Sequence, residues 1–539
     1  VFGEKILDAF KNHTDPLLYP DMDWMELILK PTSFQSQHNL SISGGTDRVR
    51  YFTSVGILTQ NGLFRSFDAG YNSNFTYNRY NYRANLDIDV TRSTLLKINL
   101  GGRLEDTKEP NTKSNLFTFL TRVTPFGGAG LYDGKWIHTS PDNIGWDKGA
   151  LENADPFECF FGKGYNQRIY NEINLDLSLQ QKLDFLTKGL SLNIKGSYNS
   201  GYTHRKNRYK EIPYYTAHRD PETNELFFRK FREESQLYFE ESTDRGRNWY
   251  LEGSLNYDRK FGKHQVGALI LYNQWRDQYP DPAQFDYVSI PRGYVGLVGR
   301  ATYNFDNRYL LGASFREDGS SRFGLNNQYG FFPSFSAAWR VSNENFFENA
   351  KKVIDDMKVR LSYGTVGNAE IGDYASMARY ENKRLPFGKD MTTIVTLKSM
   401  ANPDLRWEKS RQLDAGIDLS FFNGRIEFMA DYYHKITTDL LYELQLPSNS
   451  GYEKTMTNLG KIRNQGLEMS LNTRNIQSRD FLWTTSWNYT MNRSMVLDIN
   501  DNIIGKWGGR IEEGHPLNAL YGYVRLGTWG TDEAEEAAK

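Results

Sequence analysis

Residues 79–90, RYNYRANLDIDV, alternate without a fault. Tyr80, Tyr82, Ala84, Leu86, Ile88 and Val90 are apolar or aromatic, and Arg79, Asn81, Arg83, Asn85, Asp87 and Asp89 are polar or charged. A period of two sends successive side chains to opposite faces of an extended chain, so the two faces of this strand meet different media. The run is about twice the usual length of a strand in a soluble protein, ~5–6 residues. The pattern recurs. EINLDLSLQ sets Ile173, Leu175, Leu177 and Leu179 against Glu172, Asn174, Asp176, Ser178 and Gln180. QLDAGIDLSF, GLEMSLN and FLWTTSWNYTMN do the same around Leu413–Phe421, Leu467–Leu471 and Phe481–Met491. The periodicity predicts sixteen strands, at about 38–44, 49–57, 79–90, 95–104, 171–183, 190–200, 248–258, 264–273, 294–305, 308–317, 331–342, 357–364, 411–422, 425–437, 464–473 and 481–492. A seventeenth is expected to begin near 520, at LYGYVRLG.

The links between these strands alternate short and long. Short links are GTDR (45–48), TRST (91–94), RKFGK (259–263), DN (306–307) and NG (423–424). Asn423-Gly424 predicts a two-residue hairpin, because both central positions of that turn need φ > 0. The segment 343–356, NENFFENAKKVIDD, is longer than the other short links and predicts a helical turn. Long links span roughly 58–78, 105–170, 201–247, 274–293, 318–330, 365–410, 438–463 and 493–519. A soluble sandwich has no reason to sort its loops by length. An up-and-down barrel of a bacterial outer membrane does, with short periplasmic turns and long extracellular loops. The fold class expected is therefore all-β, a transmembrane antiparallel up-and-down barrel with lipid bilayer around it. Tyr80 and Tyr82 fall near its extracellular interface. The polar face, with Arg79, Arg83, Asp87, Asp89, Arg300, Asp414, Asp418 and Glu468, turns to the lumen. Charges there need water or a polar plug as partner. Sixteen or seventeen strands with no closing strand at either end predict that residues 1–539 are part of one larger barrel domain.

Composition narrows the function classes. Gly (46) and Tyr (34) are abundant and aromatics reach 14%, which suits strands and turns. Lys+Arg is 65 against Asp+Glu 66, a net charge of -1, and no basic excess offers itself to nucleic acid. The single cysteine, Cys159, cannot form an internal disulfide. The start, VFGEKILDAFKNH, does not read as a signal peptide, and no stretch is apolar enough for a membrane helix. The mean hydropathy of -0.65 is compatible with a barrel wall, which is only half apolar by design.

Catalytic signals are weak. The eight histidines are scattered without metal-ligand spacing, and neither a nucleophile elbow nor a Walker A motif occurs. GTVGNAEIG reads as a loop, and REDGSSRFG (316–324) as a polar turn rather than a calcium loop. The expectation is no enzyme, no cofactor and no metal. Loop 105–170 is more suggestive. Tyr132, Trp136, Trp146 and Phe157 lie among Asp133, Asp142, Asn143 and Asp147. Aromatic faces beside carboxylates and amides grip a sugar ring, and would serve a peptide equally well. The candidate ligand contacts are Tyr132, Trp136, Asp142, Trp146 and Asp147. The alternative is that these aromatics only pack the loop.

Long ordered stretches resemble one family. They are DWMELILKPTSFQSQHNLSISGGTDRVRYFTSVGILTQNGLF (23–64), RYNYRANLDIDV, REDGSSRFGLNNQYGFFPSFSAAWRVSNENFF, MKVRLSYGTVGN, NPDLRWEKSRQLDAGIDLSFFNGRIEFMADYYHKITTDLLY, NLGKIRNQGLEMSLN and EEGHPLNALYGYVRLGTWG. Spread over nearly the whole chain, they resemble the SusC/RagA-like branch of TonB-dependent outer-membrane transporters. The resemblance implies a barrel of 22 strands with an N-terminal plug and a TonB box that engages the inner-membrane TonB complex. It implies a SusD-like surface lipoprotein as lid, oligosaccharide or peptide as cargo, no cofactor and no catalysis. It also allows a dimer of transporter–lid pairs. The chain departs from the pattern at both ends: plug, TonB box and first strands are missing before it, and DEAEEAAK stops short of the closing strands. The expectation is the central part of an energised importer about twice this length. The rivals are a passive outer-membrane adhesin or structural barrel, a barrel enzyme and a soluble β-protein.

Overall fold

The computed structural model describes residues 3–65, 74–111, 123–145, 164–278, 291–373 and 375–499, with a scatter of positions between 503 and 530. All sixteen strands expected from the alternation are present and antiparallel. They are β1 (Gln35–Gly45), β2 (Val49–Asn61), β3 (Thr76–Thr91), β4 (Thr94–Pro110), β7 (Tyr165–Lys182), β8 (Leu190–Tyr209), β11 (Tyr238–Phe261), β12 (His264–Gln278), β13 (Arg292–Phe305), β14 (Tyr309–Ser320), β15 (Tyr329–Arg340), β16 (Ile354–Asn368), β19 (Glu408–Phe421), β20 (Ile426–Thr438), β23 (Lys461–Gln477) and β24 (Leu482–Asp498). They hydrogen-bond in that order in one sheet, each beside its neighbour in this series. Residues 503–504 and 510–511 pair as β25 and β26. No strand occurs among the described residues beyond 511, where the sequence predicted a seventeenth.

Several strands outrun their predicted ends, and furthest at the long-loop side. β11 starts at Tyr238 rather than near 248, and β8 continues to Tyr209 rather than ending near 200. The added segments, YFEESTDRGR and GYTHRKNRY, are polar on both faces. Alternation is a record of lipid on one side. Beyond the apolar layer the strand continues but its signature stops.

The short turns hold the strand pairs. Asp306 and Asn307 have φ of 51° and 53°, and the Arg308 N–H donates to the Phe305 carbonyl at 2.8 Å, a tight left-handed turn. Asn423 and Gly424 also have positive φ, as predicted. However, Phe422 joins them at φ 55°, and the strands close at Phe421 opposite Ile426. The link is thus four residues rather than two. The neighbouring segment explains it: Phe422 N–H donates to the Val353 carbonyl at 3.1 Å and Gly424 N–H to Asp355 Oδ2 at 3.0 Å. Segment 343–356 holds helical turns as expected, in the form of 3₁₀ turns at Asn345–Phe347 and Ala350–Lys352 after one at Val341–Asn343.

The chain divides into two compact units. The first is Val1–Leu179, Gly196–Trp249 and Asp277–Ile290, and the second is Gln180–Lys195, Tyr250–Arg276 and Pro291–Lys539. In both, large apolar side chains on one face of the wall strands are exposed in register. Val55 lies opposite Tyr82 and Ile57 opposite Tyr80 in the first unit; Phe335 lies opposite Tyr363 and Leu361 opposite Ala415 in the second. Such a face is stable only against hydrocarbon.

Each unit also has a water-side apolar core that the periodicity did not reveal. In the first, a small sheet β10-β9-β6-β5 is built from β5 (Gly128–Tyr132), β6 (Lys135–His138), β9 (Tyr214–Arg219) and β10 (Leu226–Arg232). It buries Trp136 and Tyr214 with Trp24, Ile28, Phe64 and Ile212. Trp24 and Ile28 come from helix α2 (Trp24–Ile28), capped by Asp23, whose side chain accepts the Glu26 N–H. Helix α1 (Glu4–Asn12) precedes it. In the second unit, β17 (Arg379–Phe387), β18 (Asp390–Ser399), β22 (Lys454–Asn458) and β21 (Leu441–Gln445) form another small sheet. Its neighbouring core joins Leu405 and Trp407 to Phe323, Phe332, Ile371 and Ala375. REDGSSRFG is therefore only partly a turn: Arg316–Ser320 is strand and Phe323 is core. GTVGNAEIG is likewise split, with Gly364–Asn368 in β16 and Ile371 in that core.

Candidate functional site

The polar face of the wall carries paired charges. In the first unit, Asp89 takes Arg50 Nη1 at 2.7 Å and Asp87 lies 3.6 Å from Lys97 Nζ. Arg83 Nε donates to Asn85 Oδ1 at 3.2 Å, and Arg79 lies directly across from Glu105. Arg103 joins Glu105 (3.3 Å) to Glu172 (3.1 Å) and stacks over Tyr170. In the second unit Arg360 on β16 is the hub. Its Nε and Nη2 grip Asp418 on β19 at 2.7–3.1 Å, and Nη2 also reaches Asp431 on β20 at 3.0 Å. Lys358 adds a second cation to Asp418 at 2.7 Å. Asp414 accepts from Gln412 Nε2 (2.7 Å) and Ser362 Oγ (3.2 Å). Glu468 on β23 lies across from Asp431, and Arg300 on β13 across from Ser314. All eight lumen candidates thus sit on the polar parity of their strands. Sequence reasoning missed Arg360 and Asp431 as partners. Their parity was legible, but the pairing depends on register between strands, which alternation does not encode.

Gly416 makes the Arg360 hub possible. A Cβ there would sit 2.1 Å from Asp431 Oδ1 and 2.9 Å from Arg360 Nη2. Gly416→Ala is expected to lower wall stability by about 1–3 kcal/mol, as crowding a packed site does. Adding Asp431→Ala should recover part of that loss, because the two changes share one space. Equilibrium unfolding of the refolded receptor and its two variants measures both numbers.

The loop candidates separate. Tyr132 is 46% exposed at the end of β5, its ring 6.0 Å from Phe228 of β10. Lys135 Nζ lies 5.5 Å over the same Phe228 ring and pairs with Asp133 at 3.3 Å. Trp136 is 5% exposed, with its ring inside the core described above. Asp142 lies in the short helix α3 (Pro141–Ile144), beside Asn143, which donates to the Ala217 carbonyl at 3.1 Å. Trp146 and Asp147, like Phe157 and Cys159, lie outside the described residues. On the same sheet His218 stacks on Phe227 at 5.5 Å, with Arg229 over that ring at 5.6 Å. Desolvation and the Arg229 guanidinium hold His218 below the ordinary histidine value, with Asp142 opposing, which favours the neutral imidazole. Phe227, Phe228, Arg229 and His218 were invisible in the sequence because 201–247 showed no long period. Tyr132, Lys135 and Phe228 together offer a ring face and a cation to a ligand. Among the described residues, no group of three His, Cys, Asp or Glu side chains is placed to hold a metal, and no helix is long and apolar enough to cross a membrane.

Residues 110–531 match the family model described as TonB dependent receptor-like, beta-barrel. The chain belongs to this family. TonB-dependent receptor P26 of Formosa agariphila is 26% identical over 97% of the chain and 53% of its own length. TonB-dependent receptor SusC of Bacteroides thetaiotaomicron is 28% identical over 88% of the chain and 48% of its own length. The chain thus spans about half the length of the curated relatives it matches. Among solved structures, the RagAB peptide importer in its closed-closed state superposes with a TM-score of 0.70 at 22% identity, over 92% of the chain and 55% of that structure's chain. These likenesses bear out the SusC/RagA-like assignment and the barrel fold. The sixteen wall strands are strands of an outer-membrane receptor barrel, in a family of receptors and transporters rather than enzymes.

Proposed function

We propose that the chain works in TonB-dependent import of large nutrients, oligosaccharide or peptide, across the bacterial outer membrane, as part of one barrel domain and without catalysis of its own. The observation that carries this reading is the match of residues 110–531 to the receptor barrel, with water-side sheets borne on its long loops. SusC, named among its relatives, and the RagAB peptide importer, named among its structural neighbours, support a SusD-like lipoprotein lid as partner and TonB as energy source. The lumen charges, Arg79 to Asp89 and Arg300 to Glu468, suit a polar plug. Tyr132, Lys135 and Phe228 suit a cargo ring or an acidic group on it.

The test uses a strain lacking the receptor and complemented with the full-length gene. Uptake of labelled oligosaccharide and oligopeptide mixtures is expected to depend on the receptor and to vanish when its coupling to TonB is cut. Uptake that survives uncoupling would make the barrel a passive one. Tyr132→Ala with Phe228→Ala is expected to weaken capture of the transported class about tenfold, ~1.4 kcal/mol.

A further inference from the structure

Two arginines share the outward-facing parity of a wall strand. On β11 the exposed Leu251 and Leu255 fix the odd positions as the lipid-facing ones. Arg245 and Arg247 share that parity. The even positions turn the other way: Asn248 accepts from Asn199 at 2.8 Å, and Asp244 pairs with Arg205. On the outer side Arg245 and Arg247 border a cleft of about 520 Å³, with Ile173 of β7, Tyr198 and Tyr202 of β8 and Gln278 of β12. Arg247 Nε donates to Gln278 Oε1 at 3.1 Å, which aims the guanidinium along the wall. Among the described residues neither arginine is paired with a carboxylate.

Depth decides what they meet. Phe261, exposed at the short-turn end of β11, marks the periplasmic edge. A strand rises ~3.3 Å per residue and tilts ~40°, so each residue gains about 2.5 Å of depth. Arg247 is thus about 35 Å from Phe261, and the apolar band is only about 25 Å tall. Arg247 and Arg245 thus stand about 10 and 15 Å beyond the outer edge of that band, on its headgroup side, where alternation has stopped in β8 and β11. Tyr198 and Tyr202 are the aromatic belt at that level.

We infer that this cleft binds the phosphorylated headgroup of an outer-leaflet glycolipid, the lipid A portion of lipopolysaccharide. The planar guanidinium fork matches phosphate oxygens in pairs. The tyrosine rings and Ile173 cover the sugar face and the first acyl carbons. The site lies on the outside of the wall and is separate from any route for cargo.

The experiment extracts the full-length receptor in mild detergent, delipidates it and titrates it by native mass spectrometry. The probes are purified lipopolysaccharide, the same material after enzymatic dephosphorylation, and phosphatidylglycerol. The native receptor is expected to hold lipopolysaccharide at least tenfold more tightly than either other probe. R245E/R247E should lose that preference, while R245K/R247K should keep most of it. Heat-modifiable migration on gels certifies that each variant is a folded barrel. Equal retention by folded R245E/R247E, or equal binding of the dephosphorylated probe, overturns the assignment. Equal binding of phosphatidylglycerol overturns the glycolipid in favour of any anionic headgroup.

Discussion

Trp136→Ala is expected to unfold the small sheet β10-β9-β6-β5 while the wall strands stay folded. Removing a buried tryptophan costs about 3–5 kcal/mol. Four short strands and one apolar cluster hold little more than that, since sheets of this size are stable only through their apolar face. Trp136 contributes the centre of that face, against Trp24, Ile28 and Tyr214. Limited proteolysis should then cut within 123–145 and 212–232, and uptake should fall as a consequence. Trp136→Phe should restore most of the protection. The contrast is Tyr132→Ala, which removes an exposed ring and should leave proteolysis unchanged while weakening capture. A Trp136→Ala receptor that keeps its protease resistance yet loses uptake would make Trp136 a direct cargo contact.

The same residue marks where reading from sequence ends. Trp136 in LYDGKWIH and Trp487 in FLWTTSWNYTMN are both tryptophans among polar neighbours, yet Trp136 is buried and Trp487 is exposed to the bilayer side. Trp487 was legible because strict alternation runs through it from Ser486 to Asn492. A wall strand must keep its period across the whole membrane, so its signal is long. The small sheets use strands of four to ten residues whose partners come from distant loops: β6 pairs with β9 in parallel, some 80 residues away. Their burial depends on those distant partners, and nothing local records it. The polar face shows the same division. That Arg360, Asp414 and Asp418 share one face followed from parity alone. That Arg360 grips Asp418 and Asp431 followed from register, and Gly416 gains its meaning only there. The four-residue turn at 422–425 was misread for a related reason, because Phe422 and Gly424 are held by Val353 and Asp355 at the start of β16.

Leu361→Arg and Ser362→Arg, adjacent on β16, are expected to differ by at least 2 kcal/mol. Leu361 is 51% exposed on the apolar face, between Ala337 of β15 and Ala415 of β19. It lies seven residues from the strand start at Ile354. At about 2.5 Å of depth per residue that is about 17 Å, inside an apolar band about 25 Å tall and about 5 Å past its middle. An arginine at that depth on the lipid face costs about 2–4 kcal/mol. Ser362 faces the other way and donates to Asp414 at 3.2 Å, so an arginine there meets a carboxylate and water. Its cost should be near zero, and a new ion pair with Asp414 adds no more than about 1 kcal/mol at an accessible site. Refolding of the full-length receptor into lipid vesicles across a urea series reads both values. A gap of 2 kcal/mol is about a thirtyfold difference in the folded-to-unfolded ratio. Reversal, with Ser362→Arg the damaging change, would exchange the two faces of the wall, and with them the lumen assignment of Arg360, Asp414 and Asp418. Equal tolerance of both would mean that β16 meets water on each side and that its alternation has another cause.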